Sequence, residues 1–215
     1  MKSIHVPYIP GLESLTFEEL DRTMELQAAK DFINEVNWKE YPYKPSVALR
    51  VARSETSLVL IYDVRGLDLR ADTLENNGPV WEDSCCEFFI ANPADNTYHT
   101  FEINCIGTLL ASRRRSRVDA DMFTSEELSR IVCHHTLERK QYYENGSTHC
   151  WTLAVCIPFD LLGMDADALP ARARANFYKC ADKTGHPHYL SWNRIEIPLP
   201  DFHRPDYFGE LIFQA

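Results

Sequence analysis

The sequence predicts an all-β fold: a jelly-roll-like β-sandwich of roughly eight to ten strands with a short N-terminal helix. Three observations point there. Short apolar runs rich in β-branched and aromatic residues recur from Ser46 to the C-terminus. Clusters of Asn, Asp, Gly and Pro separate them, residue types that reach positive φ, lock φ or bond their own backbone. Sustained helical spacing of apolar residues occurs ahead of these runs, near the N-terminus.

The helix comes first in the chain. In TFEELDRTMELQAAKDFI, Thr16 is followed three residues later by Glu19, so each side chain is placed to bond the other's backbone N–H at a helix start. The expected helical extension spans 14–36. SVALRVA (46–52) and SLVLIYDV (57–64) read as a hairpin joined through Arg53 to Thr56, largely apolar on both faces. CCEFFIA (85–91) and YHTFEINCIGTLLAS (98–112) form the next pair, around the turn residues Asn92-Pro93-Ala94-Asp95-Asn96. IVCHHTLERKQYY and THCWTLAVCIPF flank Asn145-Gly146, a dipeptide suited to a two-residue hairpin turn. Pro158 ends the second of these, and FDLLGMDAD reads as one short helical turn. ANFYKCA (175–181), HYLSWNRI (188–195) and GELIFQA (209–215) complete the strands. No repeat, low-complexity tract or linker interrupts them, so 1–215 reads as one domain.

Composition narrows the function. With 45% hydrophobic and 25% charged residues, the chain is an ordinary globular one. A formal charge of −10 argues against nucleic acid, whose phosphates need a basic surface. The run Arg113-Arg114-Arg115-Ser116-Arg117 opposes that balance locally and reads as a solvated loop. No stretch approaches a membrane span, and MKSIHVPYIPGLES has no apolar leader segment. Seven cysteines, an odd number in irregular spacing, sit mostly inside apolar runs, as buried thiols do in a reducing compartment. The expected location is the cytoplasm, or outside it if the native chain starts further upstream.

GPVWEDSCCEFFIAN (78–92) gathers a Trp, acids, two cysteines and two Phe. Structural zinc favours Cys-x-x-Cys pairs, which are missing; Cys133-His134-His135, His149-Cys150 and His186-Pro187-His188 read as packing and surface residues. No Gly-x-Ser-x-Gly elbow or phosphate-binding loop is present, and Asp182-Lys183-Thr184-Gly185 reads as a turn. Strand alternation puts Trp81, Asp83, Cys85, Glu87 and Phe89 on one face, and Cys86, Phe88 and Ile90 on the other. Likewise Glu102, Asn104 and Ile106 oppose Phe101, Ile103 and Cys105. Each acid stands among large apolar neighbours, where an unpaired carboxylate is costly. It must therefore meet a cation, a donor cluster or a polar ligand, with Arg113, Arg115, Lys179 and Arg194 as the candidate cations.

VWEDSCCEFFIA, FEINCIGTLLAS, IPF, NFYKC, HYLSWN and FGELIF, in that order and spacing, resemble carbohydrate-binding module family nine, in particular its single-domain bacterial relatives. The likeness runs from about Val47 to Phe213 and leaves the helix outside. It implies a β-sandwich whose cleft clamps a sugar ring between two tryptophans, with carboxylate, amide and basic side chains on the hydroxyls. It implies Trp81 and Trp192 as the clamp, Glu87 as the acid, and Asn176, Lys179 and Arg113 or Arg115 as polar contacts. Glu102, Asn104 and Asn193 complete the expected ligand set. Calcium often has a structural role in that family, and Glu82, Asp83 and the acids of 63–75 are its candidate ligands here. No other cofactor is expected.

The expected function is thus non-catalytic binding of a mono- or oligosaccharide. Two alternatives stay open: a cytosolic sugar- or glycoside-processing enzyme using Glu87 and Glu102 as an acid–base pair, and a binding module turned to a protein or another small molecule.

Overall fold

The computed structural model describes residues 1–91 and 95–214. In chain order its elements are β1 (Ser3–Val6), α1 (Phe17–Gln27), β2 (Ala29–Phe32), β3 (Glu35–Val36), β4 (Ser46–Arg53) and β5 (Ser57–Ala71). Then come β6 (Cys85–Ala91), β7 (Tyr98–Asn104), β8 (Leu109–Arg114), β9 (Ala120–Met122) and α2 (Ser125–Ser129). The last are β10 (Val132–His135), β11 (Tyr142–Pro158), β12 (Arg172–Cys180), β13 (Tyr189–Ser191) and β14 (Gly209–Phe213).

The fold is a β-sandwich. One sheet runs β1-β14-β12-β6-β7-β8-β9, with β13 and β3 branching from β12; the other runs β10-β11-β5-β4-β2. Between them lies the main core. Val47, Leu49 and Val51, Leu58, Leu60 and Tyr62, and Leu153, Val155 and Ile157 face it from the smaller sheet. Cys86, Phe88 and Ile90, Phe101 and Ile103, and Phe177 face it from the larger. The alternation expected for β6 and β7 is therefore the observed one within the strands. Ile106 departs from it: it lies past the end of β7, buried in the main core beside Cys105.

Each sheet is also covered on its outer side. Leu20 and Met24 of α1, with Ile9 and Leu12, pack on Ala52, Val59, Ile61 and Ala154 of the smaller sheet. Over the larger sheet, Trp38, Ile195, Phe202 and Phe208 cover Cys85, Phe89, Tyr98, Leu110, Tyr178 and Cys180. Four layers result, and the outermost, on the larger sheet, carries the cavity discussed below.

Several sequence expectations need correction. Thr16 and Glu19 do cap the helix reciprocally, but α1 stops at Gln27, and Ala29–Phe32 pairs antiparallel with β4. The helical extension 14–36 is thus a helix followed by two strands. Asn145-Gly146 is no hairpin turn: β11 continues through it, with 142–144 pairing 69–71 and 148–158 pairing 57–67 of β5 around a register shift. The dipeptide forms a bulge, with Gly146 at φ 75°. The 98–112 run is two strands, because Gly107 at φ 77° turns the chain between β7 and β8. Fourteen strands stand among the described residues, and β1, which pairs parallel with β14, was not expected. Part of the turn read at 92–96 lies outside the described residues, as does Ala215. Among the described residues no helix is long and apolar enough to cross a membrane.

Candidate functional site

On the outer face of the larger sheet lies a cavity of about 340 Å³, at the lower end of the roughly 300–1,000 Å³ usual for small-molecule sites. Its floor comes from strand alternation. Tyr178, Glu87, Glu102 and Leu110 stand abreast on β12, β6, β7 and β8, so the two glutamates are direct cross-strand partners. Both are buried, at 3% and 4% exposure. Neither forms an ion pair among the described residues. Burial, then the neighbouring Cys180 and Glu102, pushes the Glu87 carboxyl well above the ordinary range. Burial likewise raises Glu102 to about 7, against the pull of Arg114.

Trp81 stands at one side, 38% exposed, in the 3-10 turn Val80–Glu82 that leads into β6. Its carbonyl accepts the Asp182 N–H at 3.2 Å, which ties this turn to the end of β12. Asp182 lines the wall, raised to about 6 chiefly by burial. Tyr189, Phe202 and His203 supply the remaining aromatic lining. Phe202 stacks on Tyr178 with centroids 4.2 Å apart, and its carbonyl accepts the Tyr178 hydroxyl at 3.1 Å. His203 Nδ1 lies 3.2 Å from the Tyr98 hydroxyl. Arg114 and Arg117 close the rim, Arg117 lying 3.7 Å from Asp201.

Of the expected site residues, the fold brings Trp81, Glu87 and Glu102 together here. The others go elsewhere. Trp192 is sealed in the main core at 0% exposure, edge-on to Phe177, with its indole N–H donating to Asp31 at 2.7 Å. The two-tryptophan clamp therefore does not form. Lys179 pairs with Cys86 on the inner face, where its ammonium donates to the Cys180 carbonyl at 2.6 Å beside Trp151. Asn104 organises the β7–β8 turn: its Oδ1 accepts Ile106 and Thr108 N–H, and its Nδ2 donates to Asp83 at 3.0 Å. The Asn176 side chain donates to the Asn193 carbonyl and accepts its N–H, while the Asn193 side chain accepts the Lys2 N–H and donates to the Tyr207 carbonyl. Arg113 pairs with Glu127 at 2.6 Å, and Arg115 with Asp119 and Asp121. The remaining candidate cation, Arg194, pairs with Glu196 at 3.3 Å.

Arg114, Arg117, Cys180, Asp182, Tyr189, Asp201, Phe202 and His203 were missed. Parity alone holds a signal for Arg114: Leu110 opposes Glu102 and Arg114 opposes Tyr98, so it shares the glutamates' face while Arg113 does not. The 200–203 loop carries no comparable pattern.

The acids proposed for calcium do not fit it. Calcium takes 6–8 oxygen ligands, whereas Asp83 already accepts N–H bonds from Asp72, Thr73 and Asn104, with Arg70 Nε at 3.4 Å. Asp63 pairs with Arg50, Asp72 with Arg70, and Asp68 with His186. Glu82 pairs with Lys183. Protein donors thus engage each of these carboxylates, and the exposed Glu75 by itself falls far short of the oxygens that ion takes.

The model for carbohydrate-binding family 9 matches residues 18–213. The chain belongs to carbohydrate-binding family 9. The match begins within α1, well ahead of Val47, where the sequence resemblance began. A Bacteroides uniformis protein, whose crystal structure carries a provisional carbohydrate-binding assignment, is 32% identical over 99% of both chains, with a TM-score of 0.92. A family 9 module from Caldicellulosiruptor kristjanssonii solved with glucose is 9% identical, covering 100% of this chain and 96% of its own, at TM-score 0.62. Its cellotriose complex is 10% identical, with 100% and 94% coverage and TM-score 0.64. At such identities these two show the shared fold. None of the curated proteins compared with the chain matches it.

Proposed function

We infer that this family 9 chain binds a mono- or oligosaccharide non-catalytically in the cavity above β6 and β7. The observation that carries it is the pair Glu87 and Glu102, buried side by side without a cation on a floor flanked by Trp81, Tyr189 and Phe202. A sugar ring suits that combination. Its C–H faces take aromatic side chains, and its hydroxyls both donate to and accept from carboxyl groups. Arg114 and Arg117 at the rim add charged hydrogen bonds of roughly 1.5–3 kcal/mol each. Association entropy cancels much of this, so a dissociation constant on the order of micromolar to millimolar is expected. In this arrangement Trp81 is the stacking platform, and Tyr189 or Phe202 takes the role the sequence assigned to Trp192. Glucose and β-linked glucose chains, the ligands of the solved family 9 module, are the first to try.

The family match favours binding over glycoside hydrolysis. The glutamate pair does not separate the two, since direct cross-strand neighbours stand close enough for the roughly 5–5.5 Å between the carboxyls of a retaining hydrolase. Calorimetric titration of the wild type and Trp81→Ala with glucose, xylose, galactose, mannose and their β-linked oligomers tests the reading. Binding of at least one sugar, weakened tenfold or more by Trp81→Ala, is expected. Wild type silent toward the whole panel, or an unchanged variant, overturns it.

A further inference from the structure

The cavity floor holds a second constellation, which shares Glu87 with the sugar reading and adds two thiols that reading does not use. Cys85 and Cys180 face each other across the β6–β12 pair, and Glu87 lies two residues along β6 on the same face. Both sulfurs and a Glu87 carboxylate oxygen lie within 4.8 Å of one another, all three side chains buried. Cys180 Sγ is 3.0 Å from Glu87 Oε1.

We propose that Cys85, Cys180 and Glu87 form a site for a divalent thiophilic cation, zinc by preference. Tetrahedral zinc at about 2.3 Å from sulfur and about 2.0–2.2 Å from oxygen holds its ligand atoms roughly 3.5–3.8 Å apart. The three groups here come within about 1 Å of that spacing, on adjacent strands whose backbones are already bonded, so side-chain torsions suffice to close it. Sulfur donors select against calcium and magnesium and for zinc. Loading exchanges protons for metal: two thiols and one carboxylic acid release three protons to water, and the ion gains two sulfur bonds and one oxygen bond, leaving one net negative charge. Cys180 and Glu87 both line the cavity, which gives the ion an entry path. The fourth position then faces the cavity, where Asp182 or water takes it.

The spacing of Cys85 and Cys180 in sequence matches no zinc pattern, because the pair is made by strand register and not by a local loop. Their cross-strand placement would also permit a disulfide, so the test must tell the two apart. The reduced full-length protein is titrated with cobalt(II). A thiolate-to-cobalt charge-transfer band and tetrahedral visible bands saturating at one equivalent, bleached by added zinc, are expected. Cys180→Ser should weaken cobalt and zinc binding by roughly 100-fold or more, while Cys156→Ser, on the other sheet, should leave both unchanged. Trp81→Ala should also leave the cobalt spectrum intact, which separates this inference from the sugar reading. A folded, reduced wild type without the charge-transfer band overturns the site, whatever the variants do. So does a band that survives in a folded Cys180→Ser. A Cys85–Cys180 disulfide found by mass spectrometry, in protein whose reduced form ignores cobalt, overturns it in favour of a redox pair.

Discussion

Two tryptophans to which the family resemblance gave one role end in opposite environments. Trp81 sits on a turn before a strand and keeps over a third of its surface in water. Trp192 lies beneath the sheet against Phe177, and Gly209 passes so close that a Cβ there would stand 2.3 Å from Trp192 Cζ3. The two residues should therefore separate cleanly by measurement. Trp192→Ala removes a fully buried indole and should lower unfolding free energy by roughly 3–5 kcal/mol in urea titrations. Trp81→Ala should leave stability within about 0.5 kcal/mol, as exposed substitutions usually do, while weakening ligand binding. Gly209→Ala should lower stability by about 1–3 kcal/mol through overpacking against that indole; an unchanged urea midpoint would show that the contact relaxes freely.

Among elements, α1 and β11 show how local preference and tertiary pairing divide the control of structure. Thr16 and Glu19 set the helix start, and the helix docks through Leu20 and Met24, with Asp21 bonded to the buried Arg50. Thr16→Ala should cost about 0.5–2 kcal/mol in denaturant unfolding, the usual worth of such a cap. The Asn145-Gly146 pair shows the reverse. Alone it favours a tight turn, but flanking residues on both sides find partners on the single long strand β5, and that ladder outweighs the turn. Gly146 keeps its positive φ beside open space, with nothing within 4 Å of where a Cβ would stand. Gly146→Ala should therefore cost roughly 1–2 kcal/mol from backbone strain alone, without a packing penalty, measured by thermal or urea unfolding.

For the whole molecule, burial of histidine links stability to pH. Burial lowers His99 to about 4, and His188 and His203 to about 3. An unfolded histidine titrates near 6.5. As pH falls below that value, the unfolded chain takes up protons that the fold refuses, so these residues make stability decline with acid down to their folded values. Glu102 acts with the opposite sign. Its folded value of about 7 lies above the unfolded carboxyl range, so its contribution is full at low pH and lost as pH rises through 7. Comparing the wild type with His99→Gln isolates the histidine effect. The loss of unfolding free energy between pH 7 and pH 5 should be smaller in the variant, and equal losses would show that His99 titrates normally in the fold.

The sequence alone determined the sandwich, the bounds of the 85–91 strand, the helix start at Thr16, and which residues alternate with Glu87 and with Glu102 along their own strands. These follow from short-range rules: two-residue alternation, turn chemistry and reciprocal capping act within a few residues and are written in the chain. Tertiary structure alone decided which tryptophan faces the cavity and that Cys85 meets Cys180. Those outcomes depend on register between strands far apart in sequence, where a shift of one residue moves every side chain to the other face.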